Sequence, residues 1–333
     1  MDYRKEAPEI LMSFLTYHEN IKNHSQKTID EYFLDLRTFF RYLKKYRGIS
    51  PADADFEEIS ITDVDLKFVK KISLSEVYQF LSFLARDRDA PNKGRSSSSG
   101  LSPSSRARKI ATIRSFFKFL TTKEKVLKEN PIKDLESPKL KKSLPKFLSL
   151  DESLRLLSAV DGTNQDRDYC IITLFLNCGL RISELTALNL TDISEEYLRI
   201  LGKGNKERIV YINDACADAI NNYLPIRKLL HPKEPQAMFI SRNGNRLSRS
   251  AVHDMVKKTL LKAGIDPTSY SSHKLRHTAA TLMLQNGVDV RTLQEVLGHD
   301  HLNTTQIYTH VDNAELRTAA KANPLSSVKI SKK

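Results

Sequence analysis

Apolar residues recur every three or four positions in three long segments of the N-terminal half. The segments run from Ile29 to Leu43, from Val77 to Leu84 and from Ile110 to Leu120. This period matches the turn of an α-helix and predicts three amphipathic helices, the first capped by Ser25 or Thr28. Between the first two, the acidic stretch PADADFEEISITDVD predicts a loop with a short helix.

The C-terminal half is also mostly helical in its apolar pattern, with one exception. Two short β-prone runs, Tyr197–Leu201 and Arg208–Ile212, flank the glycine-rich basic segment GKGNK. Such runs around a short turn predict a β-hairpin. The predicted fold class is therefore mainly α with a small β-hairpin.

A proline- and lysine-rich stretch, ESPKLKKSLPKFLSLDE, separates the two halves and lacks helical periodicity. We expect a semi-extended basic linker at 137–147 between a helical domain at 1–136 and a second domain at 148–333. Residues 88–104 are polar and serine-rich, and they predict a flexible loop.

Composition narrows the possible functions. The 333 residues include 53 basic and 40 acidic side chains, for a net charge of +13, which favours a polyanionic partner such as nucleic acid. No apolar run approaches the length of a membrane span, and the first residues show no export signal. Cys170, Cys178 and Cys216 have no CxxC spacing, which disfavours a zinc ribbon or disulfide framework and favours a reducing cytoplasm.

Basic side chains crowd the polar face of the third predicted helix, and a further lysine lies in the hairpin turn. A helix that lies along DNA would use such a face, although a solvated basic surface gives the same pattern. The expected DNA contacts are Arg106, Arg108, Lys109, Arg114, Lys118 and Lys206.

Histidines and arginines are concentrated near the C-terminus, where five of the nine histidines lie between positions 273 and 310. His273, Arg276 and His277 share one face of a predicted helix. Guanidinium and imidazole groups suit a phosphate that gains charge, and the Tyr308 hydroxyl is a possible nucleophile. The two histidines also have zinc-like spacing, but the HExxH glutamate is absent and Arg276 would repel a cation.

Two further basic residues lie upstream. Arg181 and Glu184 are three positions apart, so they can pair on one helical face, as an ordinary surface salt bridge also would. Lys203 lies in the hairpin turn, which lacks the phosphate-loop pattern and therefore disfavours nucleotide binding. This lysine can reach a DNA groove or deliver a proton, or it can be part of a solvated turn.

Together these motifs resemble the tyrosine recombinases of the phage integrase family, and those of Xer type in particular. The resemblance rests on CGLRISEL, GKGNKER, HKLRHT and LGHDHLNTTQIYTH, and on a first-domain pattern, SxxTxxxYxxDLxxFxxYL, that is similar to the family's core-binding domain. It implies a SAM-like helical domain followed by a catalytic domain. The implied catalytic residues are Arg181, Lys203, His273, Arg276, His299 and Tyr308, supported by Glu184 and His277.

The resemblance also implies a mechanism. Tyr308 would attack a scissile phosphate, which forms a 3′-phosphotyrosyl bond and frees a 5′-hydroxyl. Arg181, Arg276 and His299 would stabilise charge on the non-bridging oxygens. His273 would accept the tyrosine proton, and Lys203 would protonate the leaving oxygen. No cofactor and no metal are implied, because the phosphotyrosine keeps the bond energy.

The implied partner is double-stranded DNA at a specific recombination site, with no membrane partner. Four protomers, identical or including a second recombinase, would pass through a Holliday junction, and the tail after Tyr308 would dock on a neighbouring protomer. The expected role is chromosome dimer resolution, and so chromosome partition at cell division, or integration and excision of a mobile element. The alternatives are a type IB topoisomerase and a DNA-binding regulator without catalysis.

Overall fold

A computed structural model describes residues 3–51, 53–86, 100–136, 146–202, 207–298 and 318–328. The chain divides into two compact units, Met1–Lys142 and Ser143–Lys333. Helices dominate the described residues of both units, and the one sheet among them has two strands. The predicted fold class is confirmed.

The N-terminal unit is built from helices around a core rich in phenylalanine. The helices are α1 (Glu9–Thr16), α2 (Gln26–Tyr46), α3 (Leu66–Lys70), α4 (Leu74–Arg86) and α5 (Pro103–Thr122). The three predicted amphipathic helices correspond to α2, α4 and α5, and the acidic stretch forms turns that end in α3. Ser25 caps α2, since its side chain accepts a hydrogen bond from the Thr28 backbone amide.

The acidic stretch packs against the basic face of α2. Lys44 Nζ lies 2.7 Å from Asp63, and Arg41 Nη1 lies 2.8 Å from Glu57, while both basic side chains are buried. These two basic side chains are therefore neutralised within the unit and do not contribute to binding an external polyanion.

The C-terminal unit surrounds one almost completely buried helix. Its elements are α6 (Leu150–Ser158), α7 (Gln165–Cys178), α8 (Ile182–Ala187), β1 (Tyr197–Leu201), β2 (Glu207–Tyr211), α9 (Asp214–Leu229), α10 (Arg249–Lys262), α11 (Ser272–Gln285) and α12 (Val290–Leu297). Every residue of α7 from Tyr169 to Cys178 is buried, and the helix packs against α9 and α11. The two strands form the predicted antiparallel hairpin, with β2 beginning one residue earlier than expected.

Residues 318–328 lie against α7 and the start of α9 of their own unit. Asn323 is 1% exposed and donates a hydrogen bond to the Leu176 carbonyl at 2.9 Å. Leu325 is completely buried, and the Ala215 amide donates to the Ser326 carbonyl at 2.8 Å. Residues 318–328 thus pack against the core of this unit.

None of the helices in the described residues is long and apolar enough to cross a membrane. All three cysteines are buried free thiols. In the part of the chain that the structure describes, no group of three or more histidine, cysteine, aspartate or glutamate side chains is arranged to hold a metal ion.

Candidate active site

A tight turn between α7 and α8 places Arg181. Gly179 ends α7 with a left-handed φ of +58°, which favours glycine, and a Cβ there would lie 2.6 Å from Leu297 Cδ2, so the Leu297 side chain would have to shift. Arg181 follows as the N-cap of α8, and its backbone amide donates to Glu184 Oε2 at 2.8 Å. The predicted pairing of the two side chains is present, with Arg181 Nη1 at 2.7 Å from Glu184 Oε1.

Arg181, Arg208 and Arg276 form a group that we call the arginine cluster. In the described ion pairs, all three have the same acidic partner, Glu184. Its side chain is 3% exposed. Arg208 donates to both of its carboxylate oxygens, at 2.9 and 3.0 Å, and Arg276 Nη1 lies 3.8 Å from Oε2. Burial raises the pKa of this carboxyl, but the hydrogen bonds and charge of Arg208 and the hydrogen bonds of Arg181 outweigh burial and hold the pKa below its usual value. One ionised carboxylate therefore faces three guanidinium groups.

The end of α12 is the second anchor of the cluster. Helix-terminal carbonyls lack partners within the helix and carry the negative end of its dipole, so cations stabilise them. Each arginine binds a different one of three successive carbonyls: Arg208 Nε donates to Val296 at 3.3 Å, Arg276 Nη2 to Leu297 at 2.6 Å, and Arg181 Nη2 to Gly298 at 3.2 Å. The segment just before His299 is thereby fixed to the cluster.

Arg276 and Arg181 differ in exposure. The Arg276 side chain is 4% exposed, and its other terminal nitrogen donates to the Gly179 carbonyl at 2.6 Å. Burial, and then the charge of Arg181, lower the pKa of Arg276 to about 10, so it remains protonated at neutral pH. The Arg181 side chain is 38% exposed and is the more accessible to a phosphate.

His273 and His277 lie one turn apart on α11, with ring centroids 4.8 Å apart and ring planes at 82°. Burial lowers the pKa of His273 below 6.5, and the charges of Arg276, Lys274 and Arg181 lower it further. Burial and the neighbouring His273 also lower the pKa of His277. Both rings are therefore neutral at neutral pH, which is the form that accepts a proton.

The remaining predicted residues lie outside the described residues: Lys203, Lys206, His299 and Tyr308. The residues on either side of the segment with Lys203 and Lys206 are described, since Leu201 pairs with Glu207 across the hairpin, and Gly298, directly before His299, ends α12. The structure thus brings together Arg181, Glu184 and Arg276, and places His273 and His277 on the helix that carries Arg276. The catalytic roles of all these residues remain predictions.

Sequence reasoning missed Arg208. In the hairpin, Leu198, Ile200 and Val210 are buried, and Arg208 pairs with Ile200 across the strands. Directly paired residues share one face of a sheet, so Arg208 lies on the buried face. An arginine at an inward-facing position requires a buried partner, and this signal was available in the strand pattern.

The basic side chains of α5, the predicted DNA-binding helix, are not all on the surface. Lys109 is 9% exposed, and its Nζ lies 2.8 Å from Oδ1 of the fully buried Asp35, whose other oxygen accepts from Arg108 and Thr112. The expected DNA contact of Lys109 thus has no support, because this side chain is buried and neutralises Asp35 inside the N-terminal unit. On the same helix Arg106 is half-buried, whereas Arg108, Arg114 and Lys118 are exposed.

Two family models match the chain. The model of the phage integrase family matches residues 146–315, and that of the N-terminal SAM-like domain of phage integrases matches residues 11–124. Among solved structures, the XerH site-specific recombinase bound to its difH substrate has a TM-score of 0.61 and 25% identity, over 93% of this chain and 84% of that one.

Curated relatives are similar along nearly their whole length. The tyrosine recombinase XerC of Caldanaerobacter subterraneus is 48% identical, over 96% of this chain and 88% of that protein. The tyrosine recombinase XerD of Staphylococcus epidermidis is 33% identical, over 92% of this chain and 96% of that protein. The chain therefore belongs to the phage integrase family, as one of its Xer-type tyrosine recombinases.

Proposed function

We propose that this enzyme recombines two copies of a specific DNA site by cutting and rejoining strands through Tyr308. The observation that carries the proposal is the arginine cluster, in which the described ion pairs bring three guanidinium groups to the buried carboxylate of Glu184. Arg208 pairs with this carboxylate in bidentate fashion, and the guanidinium groups of Arg181 and Arg276 suit a phosphate whose non-bridging oxygens gain charge.

In the proposed cleavage step, Tyr308 Oη forms a bond to phosphorus as the bond from phosphorus to the 5′-oxygen breaks. His273, whose neutral form is favoured by its lowered pKa, takes the tyrosine proton. Lys203 gives a proton to the leaving oxygen. Arg181 and His299 bind the non-bridging oxygens, while Arg276 contributes charge and holds the end of α12.

The reverse step rejoins DNA without an external energy source. A 5′-hydroxyl from the partner strand attacks the phosphotyrosine, which restores the phosphodiester and returns the proton to Tyr308. Glu184 orients Arg181 throughout, and His277 supports the ring of His273, which it contacts edge-on.

The proposed substrate is double-stranded DNA, which the related XerH protein binds as its difH substrate. On α5, the exposed Arg114 and Lys118 would contact the phosphate backbone together with Arg106, and Lys206 would do so from the segment between β1 and β2. Arg108 would join them with the exposed part of its side chain, since its Nη1 pairs with Asp35 and Glu31. Four protomers would assemble on two sites, in the cytoplasm. Relatives named XerC and XerD both match, so we propose either four identical subunits or a tetramer that also contains a second recombinase.

We propose chromosome dimer resolution as the biological role, supported by the Xer-type relatives, ahead of integration or excision of a mobile element. Tail exchange completes the assembly. Asn323 and Leu325 are buried against their own unit, and the tail of a neighbouring protomer would occupy the same surface.

A supercoiled plasmid with two copies of the recombination site tests this function. The site is first identified by sequencing the DNA that remains covalently attached to the protein after cleavage. Recombination predicts two product circles or an inversion. Relaxed topoisomers without recombinant products would instead indicate the topoisomerase alternative, and binding without any cleavage would indicate the regulator.

A further inference from the structure

We propose that Arg208 is a positioning residue for strand cleavage: it fixes the hairpin that carries Lys203 to Glu184 and to the end of α12. This inference rests on the proposed function. It assigns a role to an arginine that lies on β2, outside the predicted catalytic residues.

Arg208 uses its whole guanidinium group to join three elements. From β2, its two terminal nitrogens donate to Glu184 on α8 at 2.9 and 3.0 Å, and its Nε donates to the Val296 carbonyl on α12 at 3.3 Å. The side chain is only 15% exposed. A planar fork with three fixed donors holds its partners in one geometry, which the point charge of a lysine does not.

The Arg208 side chain is also closely packed. A Cβ at Gly298 would lie 2.9 Å from Arg208 Cδ and 3.1 Å from Cζ, so the side chain lies directly against the backbone that precedes His299. The position of β2 relative to this segment is therefore closely fixed.

Arg208 and Lys203 lie only five residues apart in the sequence. Leu201 pairs with Glu207, and Lys203 lies between these two residues in the sequence. A two-stranded hairpin is marginally stable alone, so its orientation depends on contacts with the rest of the unit. Leu198 and Val210 supply such contacts at the far end of the hairpin, and the pair of Ile200 and Arg208 supplies them close to Lys203, Ile200 through the core and Arg208 through its ion pair with Glu184.

A DNA substrate with sulfur in place of the leaving oxygen tests one step separately, the protonation of the leaving group that we assign to Lys203. During cleavage the 5′-oxygen leaves with its bonding electrons and must gain a proton. When sulfur replaces this bridging oxygen, the leaving group is a thiolate, which is stable without a proton because thiols are far more acidic than alcohols. A variant with a misplaced proton donor is therefore slow on the oxygen substrate only.

The experiment compares Arg208→Lys and Arg208→Gln on nicked suicide substrates with oxygen or sulfur at the 5′ bridging position. We expect cleavage of the oxygen substrate to fall by about 10²-fold or more, the scale of general acid catalysis, and cleavage of the sulfur substrate to stay within about threefold of wild type. Lys203→Ala should show the same pattern. Arg199→Gln, on the other face of the same hairpin, should behave as wild type on both substrates.

Equal losses on both substrates in both Arg208 variants, or cleavage of the oxygen substrate at the wild-type rate, would overturn the inference. The two proposals fail in different ways. If the wild type forms no adduct on either substrate, the proposed function fails. If the wild type reacts and sulfur rescues Lys203→Ala but neither Arg208 variant, only the role of Arg208 fails.

Discussion

Arg208 donates to both carboxylate oxygens of Glu184 through its two terminal nitrogens, at 2.9 and 3.0 Å. This bidentate pair joins β2 to α8, and the same carboxylate also binds Arg181. Glu184 therefore determines where two guanidinium groups lie. Its loss affects both the stability of the catalytic unit and the site itself.

Replacing Glu184 by glutamine removes the negative charge but keeps the shape of the side chain. Because removing one partner of a buried ion pair leaves an uncompensated charge, the free energy of unfolding should fall by about 3–5 kcal/mol. Urea denaturation of the full chain measures this change. Glu207→Gln, on the exposed start of β2, should stay within about 0.5 kcal/mol of wild type.

The lowered pKa of Glu184 gives this stabilisation a pH dependence. The unfolded carboxyl titrates near 4.5 and the folded one below it, so the contribution is complete above pH 4.5 and is lost as the pH falls through the folded pKa. The difference in stability between wild type and Glu184→Gln should therefore shrink in acid. A constant difference would argue against an ionised Glu184.

Cleavage should depend on pH through His273. Its folded pKa lies below 6.5, so the neutral, proton-accepting ring predominates at pH 7, and cleavage should slow only as the pH falls below 6.5. His273→Asn should be slower by about 10²–10⁴-fold and should lose this acid limb. Single-turnover rates measure both effects. His277→Asn should keep the limb, and a limb that persists in His273→Asn would assign it to another group.

Gly298 tests the contact between α12 and Arg208. In Gly298→Ala the new Cβ would meet Arg208 Cδ at 2.9 Å, at a backbone φ of +63°. Gly48→Ala is a matched control, because φ there is +64° and nothing lies within 4 Å of the new Cβ. Both should lose about 1 kcal/mol of stability from the backbone. Only Gly298→Ala should cleave more slowly, by at least about tenfold, the scale of a small misplacement of reacting groups. Equal cleavage by the two variants would contradict a role for this contact.

The exposed face of α5 should determine the salt dependence of DNA binding. Lys118→Gln removes one expected phosphate contact, so the slope of log affinity against log salt concentration should decrease by about 0.9. Fluorescence anisotropy at several salt concentrations measures the slope. Lys67→Gln, an exposed lysine on α3, should leave it unchanged. The same slope in wild type and Lys118→Gln would remove α5 from the proposed interface.

Local contacts could be predicted from the sequence, and distant ones could not. The pairing of Arg181 with Glu184 followed from their three-residue spacing, and the hairpin followed from its two β-prone runs. The partners of Arg208 and Lys109 lie 24 and 74 residues away along the chain. A charge pattern shows that a basic residue is present, but only the tertiary fold determines whether it meets DNA or a buried carboxylate.

The central claim is that Tyr308 is the nucleophile. The direct test mixes the full chain with a nicked suicide DNA substrate. After cleavage the short fragment with the 5′-hydroxyl diffuses away, so rejoining is prevented and the covalent intermediate is trapped. We predict a protein–DNA adduct that withstands denaturation and forms with the wild type but not with Tyr308→Phe. An adduct that still forms with Tyr308→Phe, or none with the wild type on any plausible recombination site, would contradict the account.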